Sequence, residues 1–125
     1  HITDNRTELL RLLNEQILSI NADIPEAALD AIVQSALCKQ MKWSNEPHVL
    51  KSLVVFTDQI SKMQFDGKIV GVTRPNDLQC HTDSSGIDAN GMIYDYVSVG
   101  QTGDVLRENM FEIIFAVPSK VKRYY

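Results

Sequence analysis

Residues 111–117 hold the most regular two-residue alternation in the chain, with Phe111, Ile113, Phe115 and Val117 on one face and Glu112 interrupting the other. This pattern predicts a strand over 105–117, and 92–99 reads as a strand before it. Gly100, Gln101, Thr102 and Gly103 between them read as the turn of a hairpin. One hairpin is marginal in water, so its apolar residues need a further strand or a helical layer against them.

The first half of the chain supplies helices. Over 5–20, Leu9, Leu12, Leu13, Ile17 and Ile20 fall at helical spacing, and Asn5 with Glu8 has the spacing of a capping box. Leu10 and Leu18 widen the apolar face, which makes them candidate interface residues. Asp23 reads as the N-cap of a second helix, with Pro25 in the first turn and Glu26 completing a capping box. Its stripe is Ala28, Leu29, Ile32, Val33, Ala36, Leu37 and Met41, and Lys39 and Lys42 fall in its last turn, where positive charge suits the helix dipole. The run 49–63 is ambiguous. Leu53, Val54, Val55 and Phe56 resemble a buried strand, yet Val49, Leu53, Phe56, Ile60 and Met63 fit helical spacing, and a helix is the expectation. After the turn Asp66-Gly67, residues 68–73 read as a short strand containing Ile69, Val70 and Val72.

These elements predict an α+β fold, with about three N-terminal helices packed on one face of a small, mainly antiparallel sheet. A single domain over 1–118 and a basic, aromatic tail over 119–125 account for the 125 residues. A chain of this length buries a core without staples, so Cys38 and Cys80 read as optional, and a disulfide between them would have to cross the fold. There is no hydrophobic leader, and no apolar run nears the roughly 20 residues of a membrane span. The expectation is a soluble chain with reduced thiols, in the cytoplasm or in a particle assembled there. Its net charge of −4 opposes broad nucleic-acid binding.

Candidate chemistry concentrates in 74–91, a stretch of turn formers carrying Asp77, Cys80, His81, Asp83 and Asp88. The acids lack the alternation of a calcium loop, and Cys80 with His81 gives too few zinc ligands. A solvated acidic loop is favoured, and no cofactor is expected. Cys80 beside His81 raises thiolate chemistry, but sequence neighbours often project apart, so an inert loop thiol is favoured. Asp95 reads as an edge-strand aspartate facing water in preference to a partly buried acid, while Tyr94 and Tyr96 face the other way as a candidate contact surface. In the tail, Lys120, Lys122, Arg123 and Tyr124 combine charge and a stacking ring, which suits nucleic-acid contact. Phosphate-loop, nucleophile-elbow and His-Glu helix motifs are absent.

The sequence therefore favours a non-catalytic protein-interaction or assembly module. It would be homodimeric and an accessory or structural component of a larger complex such as a viral or mobile-element particle. Two alternatives stand beside it: a small-ligand-binding domain or enzyme with 74–91 as a lid, and an accessory nucleic-acid binder acting through the tail.

Overall fold

The computed structural model describes residues 4–16 and 23–125. Among them are three α-helices, α1 (Arg6–Asn14), α2 (Ala28–Leu37) and α3 (Val99–Glu108), and two strands, β1 (Lys51–Phe56) and β2 (Phe111–Ala116). The mixed helix-and-strand character matches expectation. The sheet does not, because β1 and β2 are parallel, in a register running from Lys51 opposite Phe111 to Phe56 opposite Ala116. Parallel neighbours cannot be joined by a tight hairpin. The chain between them makes a long crossover that ends in α3.

Three expected elements take another form. The run expected as a helix over 49–63 contains β1, whose alternate residues Leu53 and Val55 pack on the core while Val54 and Phe56 face outward. Four consecutive apolar residues fit either period, and pairing with β2 decides between them. The expected hairpin of 92–99 and 105–117 dissolves as well, since 100–103 is the first turn of α3 and β2 begins only at Phe111. Ser98 accepts from the Gln101 amide at 3.1 Å, and the Gln101 side chain accepts from the Ser98 amide at 2.8 Å. This capping box offsets the helix cost of Gly100 and Gly103, about 1 kcal/mol each. Residues 68–73, expected as a strand, contribute instead to a 3-10 turn, Asp66–Val70.

The core lies where α2 and α3 meet one face of the sheet. Leu29, Ile32, Val33, Ala36, Val97 and Val105 form its buried centre, with Leu53, Val55, Phe111, Ile113 and Phe115 packed against them. Trp43 closes one side, its ring edge-on to Phe111 at 4.8 Å and its indole N–H donating to the Ser35 carbonyl at 2.7 Å. The expected second helix is present but starts at Ala28, later than Asp23. No side chain of its own caps it. The Leu29 amide donates to Ser61 Oγ at 3.0 Å, where 60–62 runs beside Glu26. Asp23 pairs instead with Lys62, at 2.8 Å.

α1 is shorter than expected over the described residues, and none of its side chains is buried. Asn5 does cap it, accepting from the Thr7 and Glu8 amides. Ile17, Leu18 and Ile20 lie outside the described residues. At the other end, residues 119–125 fold back on β2: Val121 is buried, and Tyr125 stacks at 4.6 Å on Phe115 and donates its hydroxyl to the Gln59 carbonyl.

Candidate functional site

Asp95 organises one face of the molecule. Because Val97 is locked in the core, the chain two residues before it is drawn inward, and Asp95 is only 3% exposed. Its Oδ2 accepts from the Phe65 amide at 2.8 Å, and its Oδ1 accepts from the Gly67 and Tyr96 amides at 3.0 and 2.9 Å. Three donors satisfy a buried carboxylate that would otherwise be costly to desolvate. The expectation of an edge aspartate facing water is thereby corrected. Gly67 is part of the device, since a Cβ there would lie 2.6 Å from Asp95 Oδ1.

The clamp presents a surface. Phe65 is held at φ 86°, a left-handed conformation that costs a bulky residue on the order of 1–3 kcal/mol. The turn that follows, Asp66–Val70, leaves Phe65, Ile69 and Val70 60%, 88% and 66% exposed. The Lys68 ammonium lies over the Phe65 ring, 4.2 Å from its centre. Three apolar side chains and one cation therefore project from a backbone pinned from beneath.

A second device fixes 74–91 to α2. Cys38 and Cys80 form a disulfide, so Cys80 offers no thiolate and the expectation of reduced thiols is corrected. Gln34 of α2 donates to the Gln79 carbonyl at 2.9 Å and accepts from the His81 amide at 2.7 Å. The His81 ring stacks on Tyr94 at 5.0 Å, and Arg74 lies over the same Tyr94 ring at 4.6 Å. With Asn90 donating to Nδ1 at 2.8 Å, His81 carries its proton on Nε2 and donates it to Asp77 at 2.7 Å. Desolvation pushes Asp77 up, but hydrogen bonds from His81, Tyr94 and the Gln79 amide outweigh it and hold the carboxyl below its ordinary value. The bond to Asp77 raises Tyr94 in turn.

Between α2 and β1 lies an open cleft of about 550 Å³, lined by Ala28, Ala31 and Ser35 of the helix and by Leu53 to Phe56 of the strand, and reaching Glu26, Thr57 and Asp58 at the strand's carboxyl end. In open parallel sheets this is the side on which ligands bind.

The sequence candidates are thus dispersed. Asp77 and His81 meet in one network, Asp83 accepts from the Ser85 and Ile87 amides of its own turn, and Asp88 accepts from the Asn90 amide. Among the described residues, no three His, Cys, Asp or Glu side chains gather as a metal site. Leu10 is exposed on α1, and Leu18 is outside the described residues. Tyr94 and Tyr96 are half-buried, with Tyr96 under the Lys62 ammonium at 5.6 Å, so neither is a bare contact surface. Lys120, Lys122, Arg123 and Tyr124 are exposed, with Arg123 folded over the Tyr124 ring. Sequence reasoning missed Phe65, Gly67, Glu26 and Asp58. For Asp58 a signal existed: read as a strand, the run before it places that aspartate at a carboxyl end.

The geometry defines a disulfide-pinned, parallel α/β unit with an apolar turn braced from below. The comparisons are more particular: the chain belongs to the integrin beta chain VWA domain family, which it matches over residues 1–125. It is 38% identical to integrin beta-7 of Mus musculus over 117 residues, covering 93% of this chain and 14% of that protein. Integrin beta-7 of Homo sapiens is 37% identical over 125 residues, covering 99% of this chain and 15% of that protein. Integrin beta-6 of Rattus norvegicus is 34% identical over 125 residues, covering 99% of this chain and 16% of that protein. The chain therefore spans only 14–16% of the length of these relatives. Family membership overturns the expected assembly module of a viral or mobile-element particle, its lid-bearing and nucleic-acid-binding alternatives, and its cytoplasmic location. The expected homo-oligomer finds no support in the family either.

Proposed function

We propose that this chain is part of the VWA domain of an integrin β subunit, a cell-adhesion receptor chain whose extracellular portion pairs with an α subunit. The match along all 125 residues carries this reading. The disulfide agrees with it, because such bonds persist outside reducing compartments. So does the sheet, which leaves Phe56 78% exposed and Val54 and Ile114 uncovered on its outer face. Parallel sheets are ordinarily covered on both faces, and the rest of a longer β subunit supplies that cover in this reading.

The braced turn is the contact with the α subunit. A rigid apolar surface loses little conformational entropy on docking, and a central patch of large side chains is where interface energy concentrates. The open cleft between α2 and β1, where it reaches Glu26 and Asp58 at the strand's carboxyl end, is the side that meets protein ligands.

The test uses the intact β subunit co-expressed with an α subunit. Ile69→Glu should lower co-capture of the α subunit at least tenfold, whereas Ile87→Glu, at a similarly exposed position in the 74–91 loop, should leave it unchanged. Undiminished capture by the Ile69 variant would remove the turn from the interface. Failure of the unaltered chain to capture any α subunit would reject the whole reading.

A further inference from the structure

Asp30 sits on α2 beneath the segment 76–97, and its two oxygens are treated differently. Oδ1 accepts from Asn76 Nδ2 at 3.4 Å, and the same amide group donates to the Asp95 carbonyl at 3.2 Å. Oδ2 is shielded from solvent and has no hydrogen-bond partner among the described residues. The chamber around it, about 200 Å³, is walled by Gln34 of α2, by His81, Asp88 and Asn90 of the loop, and by Tyr94 and Tyr96. Its titratable groups are thus the Asp88 carboxylate and the His81 ring from the loop, and the two tyrosines from the segment before α3. The Asp95 carboxylate adds its charge from that same segment. Among the described residues, no lysine or arginine lines the chamber.

A shielded oxygen without a donor, near two further carboxylates, is poorly suited to a negative charge. As an acid the same group is neutral, and its O–H can donate where a carboxylate can only accept. We propose that Asp30 is a protonation latch, holding 76–97 against α2 as a neutral acid and loosening that segment when it loses its proton. The Cys38–Cys80 disulfide keeps the loop attached in both states, which confines the change to local opening.

Burial pushes the Asp30 carboxyl up from 3.8 to about 6, against a downward pull from the Val97 amide and with help from the charges of Asp88 and Asp95. A carboxyl raised in the closed state and ordinary in the open one favours closure fully below pH 3.8. That advantage is lost as pH rises through about 6. Between pH 5 and pH 7.5 the opening of 76–97 should become about tenfold more frequent.

Hydrogen exchange read by mass spectrometry on the intact β subunit, corrected for the intrinsic effect of pH, tests the latch. In the unaltered protein, peptides from 76–97 should lose about tenfold in protection between pH 5 and 7.5, while peptides from β2 hold steady. Asp30→Asn, which is neutral at both pH values, should protect 76–97 equally at pH 5 and 7.5, so that its excess over the unaltered protein grows about tenfold between the two. Equal protection of 76–97 at the two pH values in the unaltered protein would overturn the proposal, whether or not the variant folds. So would a variant that retains the full pH dependence.

Discussion

The frame of α2, α3, β1 and β2 and the long segment between β1 and α3 are held by different physics. The frame is an apolar core, centred on Val33 and Val97, in which regular elements satisfy most of their own backbone groups. The segment contains one short 3-10 turn and otherwise irregular chain, and it depends on side chains that reach far along the sequence: Asp95 to Phe65 and Gly67, Gln34 to Gln79 and His81, Cys38 to Cys80. A few such pins can fix a surface without regular structure. The frame tolerates gradual change, whereas each pin is all or none.

The disulfide should give the largest effect. Its sequence separation is 42, and a closed loop of that length is worth about 4 kcal/mol. Cys38→Ser with Cys80→Ser should lower unfolding stability by about that amount in a denaturant titration and expose 76–91 to proteolysis before the frame. In the frame itself, Ile32→Ala should cost about 3 kcal/mol and lower the whole transition cooperatively. If it loosened only the segment, the division into two regions would fail. Asp95→Asn replaces a doubly accepting group with one that faces a backbone donor with its own N–H, and should cost about 2 kcal/mol. Gly67→Ala forces a methyl against the same carboxylate and should cost about 1–2 kcal/mol by thermal unfolding. The smallest effect belongs to Asp77. Its carboxyl is lowered in the folded state, so its contribution is present above its ordinary value of 3.8 and is lost as pH falls through its still lower folded value. Asp77→Asn should lower stability slightly at neutral pH, flatten that acid limb of the profile, and converge with the unaltered protein at low pH.

This division also marks what could be read from the sequence. The stripe Leu29, Ile32, Val33 and Ala36 announces α2, and Phe111, Ile113 and Phe115 announce β2, because both patterns are local and periodic. β1 was obscured by a chance helical spacing that continues to Ile60 and Met63. α3 was obscured by two glycines that a capping box overrides, although Thr102, Val105 and Leu106 already carried its helical period. The clamp left no local trace. Its partners lie 28 and 30 residues apart, and nothing in the sequence around Asp95 says that its carboxylate will receive the amides of Phe65 and Gly67. Cys38 and Cys80 were visible as a possible pair, but a chain of this size gave no reason to demand the bond.

Residue-resolved amide exchange tests most directly whether Asp95 braces the exposed turn. The Phe65, Gly67 and Tyr96 amides lie outside every strand and α-helix, yet they should exchange as slowly as the paired amides of β2. If they exchange as fast as the exposed turn 84–86, the carboxylate does not hold them, and the braced contact surface is contradicted.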